Sequence, residues 1–231
     1  LSGFSYRFNS YYQREMHPFV DSMVRALGEA GARSRRLALQ SRLMLATRRQ
    51  YERDLALMYD VVDSVIRERR SQPARADGPK DLLDLMLADG ALTDVQVRFQ
   101  IMTFLIAGHE TTSGLLSFTI YQLLRHPEAM AKATAEVDRV LGSDRTRVPQ
   151  FEDLAQLRYL EQCLKESLRL WPTAPAFGLT AKHETQLGGD IAVTPGDVVL
   201  VLVPLLHRDP AVWSDPELFD PERFAPGRVE A

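Results

Sequence analysis

Between Thr93 and His126 the chain reads as one long helix with a flaw in its middle. Thr93-Asp94-Val95-Gln96 is a capping-box pattern, Thr at N-cap and Gln at N3, each able to serve the other's amide. His126-Pro127 ends the helix and opens another, because the fixed φ of proline suits a first helical turn. The flaw is Phe104-Leu105-Ile106-Ala107-Gly108-His109-Glu110-Thr111-Thr112. A glycine in a helix interior costs about 1 kcal/mol against alanine. The threonines after it are mediocre helix formers, since branching at Cβ crowds the preceding turn. A chain that accepts such penalties mid-helix usually gains a site there.

Residues three and four apart share a helix face, so Phe104, Ala107, Gly108, Thr111 and Leu115 form one stripe. Ala107 and Gly108 make a notch in it. The Thr111 hydroxyl can bond back to the Ala107 carbonyl, which opens or bends a helix. The result is a groove, polar on one side, where a flat ligand or a diatomic could approach the backbone. Glu110 stands beside it as a proton source. The same residues also suit a packed core helix in which glycine admits a crossing neighbour, and both readings stay open here.

The rest of the chain is helical to about Trp171 and then changes period. Glu15 to Ala30 reads as a helix with Phe19, Met23, Val24 and Leu27 on one side, loosened at its end by Gly28 and Gly31. A helical pattern from about Arg35 to Arg70 carries Leu55, Met58, Val62, Val65 and Ile66. Pro73, Gly78 and Pro79 mark a loop, after which Asp81 can cap a short helix. One helix runs from Pro127 to Gly142 and another from about Glu152 to Leu170. From Ala176 the apolar residues alternate at Phe177, Leu179 and Ala181. Gly188-Gly189-Asp190 is a turn signal, and Val198 to Val203 has the β-branched content of a buried strand. The fold class is mainly α with a small β-sheet.

Bulk properties exclude several functions. A net charge of −3, with the basic residues spread over the chain, gives no nucleic-acid footprint. The longest apolar run, Val198 to Leu206, is too short for a membrane segment and contains Pro204. The single cysteine, Cys163, excludes an internal disulfide and suits a reducing, cytoplasmic compartment. His109-Glu110 is the first half of a His-Glu-x-x-His zinc motif, but Ser113 stands where the second ligand belongs, so no metal site is assigned. No Gly-x-Ser-x-Gly elbow, phosphate-cradling glycine loop or dinucleotide fingerprint occurs.

Glu166 and Arg169 are spaced i, i+3, a pair worth about 0.2–0.5 kcal/mol on an open surface. Glu136 and Arg139 repeat the pattern and show how cheap it is. What differs is the apolar flank of Glu166 and Arg169 and a later segment, Phe219-Asp220-Pro221-Glu222-Arg223-Phe224. If Arg223 reached Glu166 and Arg169, one buried carboxylate and two guanidiniums would interlock.

Three motifs thus stand in order: Ala107-Gly108-x-x-Thr111-Thr112, Glu166-x-x-Arg169 and Pro221-Glu222-Arg223-Phe224. The ordered set resembles a cytochrome P450, a haem-thiolate monooxygenase. Tyr6 to Ser10, His17-Pro18-Phe19, Ser22 to Leu27, Phe104 to Phe118, Arg169 to Phe177 and Leu206 to Asp209 resemble the bacterial self-sufficient fatty-acid hydroxylases, whose haem domain is fused to a diflavin reductase.

The resemblance implies a partial cytochrome P450 fold and a role for each site residue. Phe104, Ala107, Gly108 and Thr111 would border haem b. Thr111 and Glu110 would be catalytic, delivering protons so that the O–O bond breaks. Met23, Leu27, Ile106, Ala107, Ala174 and Ala176 would bind a small apolar substrate such as a fatty acid, with hydroxylation of a C–H bond as the outcome. Glu166, Arg169 and Arg223 would form a structural cluster. Electrons would come from NADPH through FAD and FMN on a reductase, fused or separate.

The family's ligand cysteine lies in a Phe-x-x-Gly-x-Arg-x-Cys-x-Gly loop shortly after the Pro-Glu-Arg-Phe motif. The sequence reaches Ala231 before that loop, so residues 1–231 read as the internal part of one haem domain, inactive alone. Cys163, mid-helix and without a glycine frame, reads as a small packed side chain and not as the iron ligand. The alternative is a non-catalytic helical remnant or interaction module that lacks haem.

Overall fold

The structure is a computed structural model that describes residues 15–33, 35–37, 40, 43–71, 81–142, 144 and 146–228. The aromatic opening segment and most of the loop read around Pro73 lie outside the described residues. The chain divides into two compact units, Leu1–Gly108 and His109–Ala231.

In the first unit, α1 (Pro18–Arg33) packs on α2 (Leu45–Ser71). Proline suits the first turn of α1, and the His17 ring accepts the Phe19 amide at 3.1 Å. The glycines expected to loosen the end of α1 do not, because side chains hold its last turn. Arg33 and Arg36 both donate to Glu29, and the Arg33 guanidinium lies 4.3 Å over the Tyr51 ring. Phe19, Met23 and Ala26 of α1 meet Met58, Val62, Val65 and Ile66 of α2 in the core.

The buried stripe of α2 holds a surprise. Asp54, only 3% exposed, is buried where the spacing suggested Leu55. Its carboxylate accepts from the Arg25 guanidinium of α1 at 2.6 Å and from Gln50 at 3.2 Å. A buried carboxylate needs such partners.

Helix α3 (Leu82–Asp89) opens on a capping box, Asp84 N–H to Asp81 at 3.0 Å and Asp81 N–H to Asp84 at 3.3 Å. It ends at Gly90, whose φ of 67° needs a residue without Cβ. The long helix α4 (Asp94–Arg125) begins on its expected cap, with Thr93 N–H donating to Gln96 at 2.9 Å and Gln96 N–H to Thr93 at 3.3 Å. Its first turns put Val97, Ile101 and Met102 into the core of the first unit. Arg98 bridges to Asp63 of α2 by two bonds, at 2.6 and 2.7 Å.

In the second unit, α5 (Pro127–Leu141), α6 (Phe151–Leu154) and α7 (Arg158–Leu170) follow. The single helix expected from Glu152 to Leu170 is two. Asp153 closes the α6 turn on Gln150 N–H at 2.8 Å and is gripped by Arg147 through two 2.8 Å bonds. Helix α7 then restarts on amides that another element satisfies. The core of this unit is Leu123, Ala129, Ala133, Cys163, Leu170 and Phe219.

Two small antiparallel sheets complete it. β1 (Ala176–Thr180) pairs with β4 (Val198–Leu202), Ala176 opposite Leu202 and Thr180 opposite Val198. β2 (Thr185–Leu187) and β3 (Ile191–Val193) form a hairpin turned at Gly188 and Gly189, both at positive φ. The apolar run read as a buried strand is a strand but not a buried one. Leu200 is 61% exposed, and Val198 68%. Pro204 turns the chain into the short helix α8 (Val203–Leu206). Among the described residues no helix is long and apolar enough to cross a membrane.

Candidate functional site

The notch lies in the exposed middle of α4. Upstream, Ile101 and Met102 are buried; downstream, Thr119, Gln122 and Leu123 are buried. Between them, every residue from Ala107 to Ser113 is exposed, including Glu110 and Thr111. Gly108 is exposed too, and a methyl group added there would touch no other element among the described residues. Phe104 is half-exposed, while Ile106 packs against the core of the first unit. The boundary between the two units falls directly after Gly108, so these residues are described by their places along α4.

Hydroxyls bonding back to the carbonyl four residues earlier recur along this helix. Thr103 donates to Phe99 O at 2.8 Å, Ser113 to His109 O at 2.7 Å, Ser117 to Ser113 O at 2.8 Å and Thr119 to Leu115 O at 2.8 Å. Each gives a second hydrogen bond to a carbonyl that the helix backbone also uses, a pattern that favours bending.

The other residues read as substrate-lining are placed unevenly. Met23 is 1% exposed and packs in the α1–α2 core; Leu27, one turn on, reaches the surface. Ala174 and Ala176 are exposed on the segment that leaves α7. That segment lies on the downstream half of α4. Trp171 stacks on Phe118, with ring centres 5.2 Å apart and planes within 10°. Thr173 packs against Gly114.

Glu166 and Arg169 form the best-buried ion pair of the second unit. Both side chains are sealed, and the guanidinium fork meets the carboxylate at 2.7 and 2.8 Å. The remaining Arg169 donors reach the carbonyls of His207, Pro216 and Leu218 at 2.8, 2.7 and 3.0 Å. Glu166 also accepts the Asp220 amide at 2.9 Å. Arg223, in the 3-10 turn Pro221–Phe224, approaches Glu166 at 3.5 Å as an ion pair without hydrogen-bond geometry. Its terminal nitrogens donate to Ser214 and to the Asp215 carbonyl. The pair therefore ties α7 to the loop of residues 207–220, which gives it a reach no isolated i, i+3 pair has.

Two contributors were missed from sequence. Trp213 covers the Arg169 guanidinium, 5.1 Å from its ring centre, and touches Phe224. Arg208 donates to the Leu170 carbonyl at 2.8 Å and so finishes the C-terminus of α7. A tryptophan in an acidic loop is the one local sign that could have pointed to the first.

Cys163 is fully buried among the apolar side chains of the second core. Burial, reinforced by the negative charge of Glu136, pushes its thiol up to about 12. Its enclosure by apolar side chains leaves no open face for a metal.

The chain belongs to the cytochrome P450 family, whose model, described as Cytochrome P450, matches residues 3–230. It is 51% identical over 231 residues to the bifunctional cytochrome P450/NADPH–P450 reductase 2 of Bacillus subtilis (strain 168), covering 97% of this chain and 21% of that protein. It is 42% identical over 232 residues to the bifunctional cytochrome P450/NADPH–P450 reductase of Fusarium oxysporum, again covering 97% and 21%. Among solved structures it is similar to the crystal structure of the cytochrome P450DA heme domain, with TM-score 0.86 and 42% identity, covering 99% of this chain and 50% of that one. The chain thus spans about a fifth of the curated relatives and half of that solved domain.

Proposed function

We propose that residues 1–231 are the internal part of one cytochrome P450 haem domain, and that the complete protein is a haem-dependent monooxygenase. It would insert one oxygen atom of O2 into a C–H bond of a fatty acid or similar apolar molecule. The observation that carries this reading is the exposed, low-bulk turn of α4 at Ala107 and Gly108, with Glu110 and Thr111 beside it, in a chain of this family.

The residues present suit one side of a haem. Gly108 leaves open space for a flat ring to approach the backbone, and Phe104 offers an apolar edge. Cys163 is sealed in the core of the second unit and is not among the residues that would hold the haem. When bound, haem supplies the redox chemistry that activates dioxygen. Phe104, Ala107, Gly108 and Thr111 would border it. The Thr111 hydroxyl and the Glu110 carboxyl, both exposed on the same turn of α4, would hold a proton and pass it into the site. By the family resemblance, Met23, Leu27, Ile106, Ala107, Ala174 and Ala176 would be the substrate-binding residues. Glu166, Arg169 and Arg223 hold the framework.

The names of the relatives support an electron supply from NADPH through a P450 reductase, fused or separate, and FAD and FMN are the carriers such a reductase would use. The single buried thiol suits action in the cytoplasm. The test is expression of the complete protein with its reductase. A carbon monoxide difference spectrum of the reduced protein, and mass-spectrometric detection of NADPH-dependent hydroxylation of straight-chain fatty acids, should both be positive. A protein that binds no haem would overturn the reading.

A further inference from the structure

We infer that Gly114 sets how closely residues 171–176 lie on α4, and thereby fixes the position of Ala174 beside the substrate. The inference rests on the monooxygenase reading above and deepens it, giving that site a residue that decides where the substrate is oxidised. Gly114 lies outside every motif that identified the chain.

The geometry is a two-point clamp. A Cβ placed on Gly114 would lie 3.1 Å from Thr173 Cγ2 and 3.9 Å from its Cβ, so a side chain there would press on Thr173. One helical turn further, Phe118 stacks on Trp171. As α4 advances from 114 to 118 the segment retreats from 173 to 171, so the two contacts fix register as well as distance. Beyond Ala174, the Pro175 carbonyl accepts the Val203 amide at 3.0 Å, and Ala176 begins β1 opposite Leu202. Ala174 therefore sits between anchors one residue away on each side.

A methyl group at position 114 must displace Thr173 by a few tenths of an ångström. Trp171 and Pro175 resist, so the movement falls on Thr173 and Ala174. Small changes in pocket shape decide between neighbouring C–H bonds. Gly114 touches no reacting atom in this account and is a positioning residue.

The test compares Gly114→Ala, Thr173→Ser and the double variant in the complete protein with its reductase, using straight-chain fatty acids. Thr173→Ser removes the Cγ2 that the new methyl meets. Gly114→Ala should change the ratio of hydroxylated products by at least about twofold while holding kcat within about threefold. Thr173→Ser should leave the ratio near wild type, and the double variant should return to it. Thermal unfolding gives a readout independent of turnover. Alanine improves helix propensity, so an unclashed Gly114→Ala raises the unfolding midpoint. A lowered midpoint, recovered in the double variant, reports the contact. A raised midpoint without coupling to position 173 overturns the clamp. An unchanged product ratio in an active Gly114→Ala enzyme overturns the positioning role and leaves the monooxygenase reading intact. A wild-type protein that forms no oxygenated product overturns that reading, and the role with it.

Discussion

Glu136 of α5 accepts the Tyr159 amide on Oε1 and the Leu160 amide on Oε2, each at 3.0 Å, and so caps α7 from a different helix. The residue before α7, Leu157, has no side chain able to do this. The pairing that sequence suggests for Glu136, with Arg139, is a 3.7 Å contact to a largely exposed guanidinium. The cap supports the same helix that carries Glu166 and Arg169.

Glu136→Ala should therefore destabilise the domain by about 1–2 kcal/mol, the cost of losing a cap together with a charge at the positive helix end. Glu136→Gln keeps one acceptor and should lose about half as much. Denaturant midpoints of the complete protein and the two variants check this; equal midpoints would show that water caps α7 as well.

Glu166→Gln leaves the sealed Arg169 charge without its partner and should cost about 3–5 kcal/mol, with loss of bound haem. Arg223→Ala should cost less, because Arg223 reaches Glu166 only at 3.5 Å and keeps part of its surface in water. Haem content after purification, with unfolding midpoints, ranks the variants. A milder Glu166→Gln than Arg223→Ala reverses the argument.

Thr111→Ala should leave the fold intact, since the residue is exposed, but should send more NADPH-derived electrons to hydrogen peroxide and fewer to hydroxylated product. The ratio of peroxide to product per NADPH consumed is the measurement. An unchanged ratio removes Thr111 from proton delivery.

Ala174→Phe should narrow the substrate space and shift hydroxylation along the chain. Its place between Thr173, packed on Gly114, and Pro175, bonded to Val203, fixes the backbone from which the new ring projects. Product regiochemistry by gas chromatography tests it, and an unaltered pattern puts Ala174 away from the substrate.

Stability should fall on the acid side in two steps. Burial lowers the pKa of His17, whose ring accepts the Phe19 amide only when neutral. Its contribution is complete above about 6.5 and is lost as pH falls through the depressed folded value. Hydrogen bonds from Arg25 hold the Asp54 carboxyl below its ordinary range. That contribution is present above about 3.9 and disappears at lower pH. Denaturation across pH should lose the upper step in His17→Asn and the lower one in Asp54→Asn; an unaltered profile in either variant refutes its assignment.

Much of the secondary structure was legible because its causes are local. The caps at Asp81 and Thr93, the break at His126-Pro127 and the Gly188-Gly189 turn each depend on residues within four positions. The notch at Ala107 and Gly108 was legible for the same reason. The break between α6 and α7 was not, because the amides of α7 are satisfied by a residue 23 positions earlier. The burial of Asp54 instead of Leu55 was hidden too, since Arg25 stands 29 positions away.

By itself the sequence determined the helical character, the locally capped element ends and the family, because propensity, capping and motif order are properties of short stretches. The tertiary structure alone decided which charges became interior ones. Glu166 and Arg169 look like any surface pair until the loop of residues 207–220 closes over them and Trp213 covers the guanidinium. The same folding left the strand at Val198–Leu202 open and sealed Cys163. The physical reason is that desolvation depends on which distant surfaces meet, and no window of sequence contains both.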